Sequence, residues 1–326
     1  MKSVLCENFG PPENLNVKEL EDLEPGPNQV RIDIEACGVN FPDTLIIEDK
    51  YQFKPPLPFS PGGEVAGVVD KIGSNVKGVK LGDKVMAMTL SGGFSEQILV
   101  DASGLLYRPE GMDGVTASGF TMTYGTSMHA LKQRADLKRG ETLLVLGAGG
   151  GVGLAAVEIG KAMGAKVIAA ASSKKKLNAA SEAGADHLIN YKEQNLREDI
   201  KAIVGKKGVD VVYDPVGGQV FEQALRSTAW KGRALVVGFA SGEIPKISIN
   251  LALLKGCAIV GVFWGAFKSL FPNEHKDNVN DLLKMYEDGF LKPHISEVYD
   301  LADGAKAIRD LADRKAKGKV VVRVRS

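Results

Sequence analysis

At 326 residues the chain is too long for one typical core, which predicts two domains. Its 41 Lys and Arg nearly balance 40 Asp and Glu to a formal net charge of +1, so it carries no basic field for nucleic acid, and no apolar run reaches the roughly 18 residues that span a bilayer. The opening Met1-Lys-Ser-Val-Leu5 lacks a secretion-signal pattern, and three scattered cysteines, Cys6, Cys37 and Cys257, fit a reducing cytoplasm.

From Val30 to about Val100, short β-like runs alternate with turns: Val30–Glu35, Glu64–Ile72 and Asp83–Ala87, punctuated by Pro-Gly, Gly-Ser-Asn and Leu-Gly-Asp. This grammar predicts a mainly antiparallel β domain. Beyond about residue 122 it changes. The run Leu143-Leu-Val-Leu-Gly-Ala-Gly-Gly-Gly-Val-Gly-Leu-Ala-Ala-Val157 is a buried strand that enters glycines at 147, 150 and 153 and leaves as an amphipathic helix. Such a turn lets a pyrophosphate approach bare backbone while the helix aims unpaired N–H groups and its positive dipole end at the anion. The spacing is Gly-x-x-Gly-x-x-Gly rather than the usual G-x-G-x-x-G.

The downstream rhythm strengthens the reading. Lys166–Ala171 is a second strand, Lys174–Ala183 a helix closed by Gly184, and 187–189, 209–213, 234–237 and 258–262 are further apolar runs. Helical segments at 196–204 and 219–230 separate them. Strand and helix alternating in this way predict an α/β domain with a doubly wound parallel Rossmann sheet, whose ligands sit at the carboxyl ends of the strands. After about residue 264 come a helix over 277–288, a run at 297–299, a helix over 303–314 and a last strand, Lys319–Arg323, expected to rejoin the first domain. The predicted organisation is therefore 1–122, an inserted 123–264, and 265–326.

The end of the second strand selects the nucleotide. An NAD site places an Asp or Glu about 20 residues beyond the glycines to hold the ribose 2′-hydroxyl. This chain reads Ala170-Ala-Ser-Ser-Lys-Lys-Lys176 instead. Ser172, Ser173 and the lysines offer hydroxyls and cations where a carboxylate would repel a 2′-phosphate, so NADPH is the expected cofactor. Helix N-termini do not favour cations, which sets a ligand role above mere solvation for this cluster.

In these motifs and in those that follow, the chain resembles the zinc-free NADPH:quinone oxidoreductase branch, zeta-crystallin-like, of the medium-chain dehydrogenase/reductase superfamily. Gly38-Val-Asn-Phe-Pro-Asp43 is similar to that family's G-V-N-x-x-D loop, and Pro61-Gly-Gly-Glu-Val-Ala-Gly67 to its P-G-x-E-x-x-G turn. Gly140–Gly153 matches its nucleotide signature, with Glu158 where Gln is usual, and Asp214-Pro-Val-Gly-Gly218 and Val236–Gly242 resemble its later loops. The resemblance implies a GroES-like catalytic domain around the Rossmann domain, and a homodimer paired through the strand Cys257–Phe263.

In the zinc alcohol dehydrogenases of the superfamily, the positions matching Asn40 and Gly63 are Cys and His ligands. Glycine has no donor and an amide is a poor one, and His129, His187, His275 and His294 are dispersed, so no metal is expected. Glu64 and Asp43 then read better as partners of a buried Arg or of backbone amides than as ligands. Without zinc, Asn40 is expected to donate its amide to the acceptor carbonyl, and Tyr51 to line the cleft as a second donor; the alternatives are a turn-capping Asn and a surface Tyr. Leu45 stands where relatives carry a second cleft tyrosine.

The cofactor contacts implied by position are Thr126, Gly147, Gly150, Gly151, Val152, Gly153, Ser172, Ser173, Lys176, Tyr191, Phe239, Ser241, Phe263, Trp264 and Lys319. For Phe263 and Trp264, packing is an equal alternative, and for Lys319 a solvated strand end. The expected acceptor is a small quinone or enone. Two other classes stay open: reduction of 2-enoyl thioesters, and a non-catalytic RNA-binding or crystallin-like protein, against which the near-neutral charge argues.

Overall fold

The computed structural model describes residues 1–315 and 318–325. The chain divides into two compact units, one of residues 1–122 with those from Pro293 onward, the other Thr123–Lys292.

The first unit is built on a seven-stranded sheet. Its strands run in the order Ile295–Asp300, Lys319–Arg323, Gln29–Val39, Glu64–Ile72, Lys84–Met88 and Leu105–Tyr107, with Gln97–Asp101 also paired to Gln29–Val39. All neighbours are antiparallel except the first pair. Inward residues such as Val30, Ile32, Ile34, Val65, Val85, Phe94 and Val320 are buried in one core. Val320 lies opposite Val39 and Val65 opposite Cys37. That register brings the starts of two strands, Lys319 and Glu64, to the end of a third, where Asn40 begins the helix Phe41–Ile46.

The second unit carries six parallel strands: β1 Thr142–Leu146, β2 Lys166–Ala171, β3 His187–Asn190, β4 Val209–Asp214, β5 Thr228–Val236 and β6 Ala258–Gly261. Their order is β3-β2-β1-β4-β5-β6, the doubly wound pattern, with the strand order reversing beside β1. Leu144, Leu146, Ile168, Val212 and Ala234 are fully buried because helices cover the sheet. No helix among the described residues is long and apolar enough to cross a membrane.

Two sequence expectations need correction. The boundary placed near 264 falls at 292 instead, because helices Trp264–Leu270 and Pro272–Glu287 dock on their own unit: Lys132 meets Asp281 at 2.8 Å and Gln133 Nε2 donates to Asn278 at 2.9 Å. Periodicity shows that a helix has an apolar face, not which surface receives it. The helix expected over 219–230 stops at Arg226, and β5 starts at Thr228. Ser227 and Thr228 turn their hydroxyls back onto the carbonyls of Gln223 and Ala224, and the chain leaves as a strand.

Candidate active site

Two groups of side chains carry chemistry, one in each unit. In the second unit, β1 ends at Leu146 and the chain turns through Gly147, whose φ of +59° favours glycine. The N–H of Gly150 closes the turn on the carbonyl of Gly147 at 3.0 Å, and α1, Gly151–Ala162, follows. A Cβ on Gly153 would overlap the Gly147 carbonyl oxygen and stand 2.9 Å from Cα of Ala148, so helix and turn touch backbone to backbone there. A Cβ on Gly150 would find nothing nearer than 3.5 Å. That open side, above the first turn of a twelve-residue helix, is the shape a pyrophosphate needs.

The selectivity residues stand beside it. Ser173 caps α2, Lys174–Glu182, accepting the N–H of Lys176 at 3.4 Å, and its hydroxyl hydrogen has no acceptor among the described residues. Cα of Lys176 would lie 2.9 Å from a Cβ on Gly149, so the first turn of α2 abuts the glycine turn. Tyr191 follows β3, its N–H on the carbonyl of Ala171, next to half-buried Ser172. No carboxylate occupies the end of β2. These residues fit a dinucleotide bearing a 2′-phosphate.

Further along the strand ends, Asp214 accepts the N–H groups of Val216 at 2.8 Å and Gly217 at 3.1 Å, and burial pushes its carboxyl up to about 6. The loop it shapes braces the next: a Cβ on Gly217 would lie 3.0 Å from the Phe239 ring, and the N–H of Ser241 bonds the Val216 carbonyl at 2.8 Å. Thr126 is half-buried on the helix Thr121–Met128, and its neighbour Ser127 ties that helix to the Val152 carbonyl at 2.8 Å. Phe263 is half exposed. Trp264, expected among the cofactor contacts, is instead buried in its own unit, its ring under Gly125 and edge-on to His275, because Gly125 leaves room for an indole.

In the first unit, the three converging strand ends form a buried polar cluster. Lys319 Nζ donates to Asn40 Oδ1 at 2.6 Å and to Glu64 Oε2 at 2.7 Å. The Asn40 amide donates to Glu64 Oε2 at 2.9 Å and to the Gly38 carbonyl at 3.3 Å, and Glu64 Oε1 accepts the Met122 N–H at 2.8 Å. Asp43 takes the Asn40 N–H at 2.7 Å in a capping box, and burial, only partly offset by that bond, pushes its carboxyl up to about 6. Burial and the Asp43 charge raise the phenol of half-buried Tyr51.

This geometry corrects two roles. Asn40 cannot serve as the free amide donor, since both its hydrogens are committed inside the cluster. Lys319 is not the solvated strand end that was the alternative to a cofactor contact: it is buried in the first unit with Glu64 as its counter-ion. From sequence, Glu64 reads as the partner of a buried Arg or of backbone amides; in the structure it takes Lys319, which pairing register brings from the last strand, and the Met122 N–H. Tyr51 lies on the same unit, and its hydroxyl has no hydrogen-bond partner among the described residues. Among those residues no three His, Cys, Asp or Glu side chains gather as a metal would require.

Residues 26–124 match the alcohol dehydrogenase GroES-like domain family and residues 151–284 the zinc-binding dehydrogenase family. The chain is 37% identical over 322 residues to quinone oxidoreductase-like protein 2 of Rattus norvegicus, covering 98% of this chain and 91% of that one. It is 35% identical over 325 residues to quinone oxidoreductase of Sus scrofa, covering 99% and 97%. The solved Escherichia coli quinone oxidoreductase complexed with NADPH superposes with a TM-score of 0.91 at 29% identity, covering 99% of this chain and 100% of that one.

Proposed function

Because this chain belongs to the quinone oxidoreductase branch of the medium-chain dehydrogenase/reductase superfamily, we propose that it is an NADPH-dependent quinone oxidoreductase that works without zinc. The observation that carries the reading is the end of β2, where Ser172, Ser173 and Lys176 replace an acidic residue beside a glycine turn open to a pyrophosphate. When bound, NADPH supplies a hydride, which together with one proton from water converts a quinone to a hydroquinone and leaves NADP⁺. The protein's tasks are to bind, orient and stabilise charge. The glycine turn and α1 hold the pyrophosphate; Ser173 and Lys176 take the 2′-phosphate; Thr126, Phe239 and Ser241 lie toward the nicotinamide half. Tyr51 offers its hydroxyl to the acceptor. Rates of NADPH oxidation over quinones, enones and 2-enoyl thioesters test the assignment: enoyl thioesters outrunning every quinone would move the chain to the enoyl reductases.

Cofactor choice gives a sharper expectation. A charge-assisted bond to the 2′-phosphate is worth about 1.5–3 kcal/mol, so Lys176→Ala should weaken NADPH about 10- to 100-fold and leave NADH nearly unchanged in a fluorescence titration. Equal losses for both nucleotides would place Lys176 away from the phosphate.

Zinc independence rests on the donor set. Asn40 and Gly63 supply no thiolate or imidazole, and an ammonium already bridges Asn40 and Glu64. Exhaustive chelation should leave quinone reduction intact; activity lost to chelator and restored by zinc overturns this.

A homodimer is proposed through β6. This strand is the sheet edge, and Ile249, Leu253, Leu254, Ile259 and Phe263 around it are exposed. An apolar edge is a liability that pairing across a two-fold axis removes. Light scattering at micromolar concentration should give twice the chain mass, and Ile259→Lys should reduce it to one; a wild-type monomer rules the interface out. The cytoplasm is the proposed location, supported by Cys6, Cys37 and Cys257, all of which remain free thiols. Recovery of the protein in an oxidising compartment on cell fractionation contradicts it.

A further inference from the structure

Lys319 sits where the resemblance places a metal in zinc-dependent relatives, between Asn40 and the residue after Gly63. Its side chain and that of Glu64 are only 6% and 1% exposed. Its stem runs between two glycines: a Cβ on Gly38 would lie 2.8 Å from Lys319 Cε, and one on Gly119 would lie 2.8 Å from its Cγ. Both positions must stay bare for the lysine to reach the cluster. An ammonium has three donors, and two are spent, on Asn40 Oδ1 and Glu64 Oε2. The third has no acceptor among the described residues. Asn40, meanwhile, has no hydrogen left to give.

Burying an ion pair is seldom the most stable choice, since a well-packed apolar pair often does as well or better. A fixed positive charge in a water-poor site has another use, because a preorganised donor stabilises charge that develops during reaction far better than water does. Resting on the quinone-reductase reading above, we propose that Lys319 is the internal cation of the acceptor site, donating its third N–H to the oxygen of a quinone or conjugated carbonyl as that oxygen becomes electron-rich. Lys319 forms and breaks no covalent bond in this role. Glu64 and Asn40 act as positioning residues, holding the ammonium with one N–H unclaimed. The cation thereby supplies the polarisation that the missing zinc ligands do not.

The test pairs wild type with Glu64→Gln/Lys319→Met, which removes both charges together; the new glutamine side chain still accepts from Met122 and can bond Asn40 once that amide turns over. The melting temperature and NADPH affinity should stay close to wild type, while kcat/KM for quinones falls on the order of 100-fold, the loss expected for one preorganised donor. The loss should grow across a series of substituted benzoquinones from electron-poor to electron-rich, which lean more on external polarisation; a structural role would lower all of them equally. A readout independent of turnover is the carbonyl stretch of 1,4-benzoquinone bound with NADP⁺. It should lie below its value in hydrocarbon solvent on the wild-type enzyme and return toward that value in the double variant. A double variant that keeps kcat/KM within about threefold overturns the role of Lys319 alone. An unshifted stretch on the wild type does so even if no variant folds. A wild type that reduces no quinone or enone overturns the quinone reading, and the role of Lys319 with it.

Discussion

Glu64→Ala should lower the stability of the protein by about 3–5 kcal/mol, the range for breaking a buried pair and leaving one ion uncompensated. Three donors converge on the Glu64 carboxylate: Lys319 Nζ at 2.7 Å, the Asn40 amide at 2.9 Å and the Met122 N–H at 2.8 Å. Alanine removes every acceptor at once and strands an ammonium whose side chain is 6% exposed. Glu64→Gln alone should cost less, since it keeps an acceptor for Met122. Adding Lys319→Met to Glu64→Gln should recover most of the loss, because the uncompensated charge goes with it. Urea unfolding of the four proteins, read as midpoints at constant slope, gives the comparison. A Glu64→Ala variant within about 1 kcal/mol of wild type would mean that the ammonium finds water, and that the pair is not a buried one.

Gly153→Ala and Gly150→Ala should separate the two uses of glycine in the nucleotide turn. At 153 a methyl group collides with the Gly147 carbonyl and the Ala148 backbone, neither of which can rotate away as a side chain would. The turn must open. Overpacking of this kind costs about 1–3 kcal/mol of stability, and opening the turn should weaken NADPH as well, because it moves the N–H groups that cradle the pyrophosphate. At 150 the methyl meets nothing closer than 3.5 Å and φ is an ordinary −95°. Gly150→Ala should therefore leave stability within about 0.5 kcal/mol of wild type. It should still weaken NADPH, because the added group stands on the open side where the pyrophosphate rests. Thermal unfolding without cofactor and fluorescence titration with NADPH read the two effects apart. If Gly150→Ala binds NADPH as wild type does, the anion does not lie over that face.

The same contrast marks what one sequence can disclose. The glycine turn, the strand–helix rhythm around it and the hydroxyl and lysine cluster at the end of β2 are local patterns, in which the residues that act together are near in sequence or follow a fixed period. They were sufficient for the parallel sheet. That Asn40 and Gly63 offer no thiolate or imidazole was equally local, because it is a matter of side-chain chemistry at single positions, although only the family resemblance says that zinc-dependent relatives carry ligands there.

Tertiary structure alone decided what those positions do. Asn40 read as a donor because a site without zinc needs another group to polarise the acceptor, with a turn-capping Asn as the alternative; strand pairing brings Glu64 and Lys319 to it from 24 and 279 residues away, and the amide is spent. Trp264 read equally as a cofactor contact or as packing, and the docking of its ring beneath Gly125 buries it. The helix expected to reach residue 230 ended at Arg226 because two hydroxyls closed it and the sheet took the following residues as β5. Local chemistry fixes what a residue can offer, whereas long-range register and burial fix which of its hydrogens and lone pairs remain to be offered. The chain's identity as a nucleotide-dependent reductase lay in the first; the placing of a lysine, rather than an asparagine or a metal, at the centre of its buried polar cluster lay in the second.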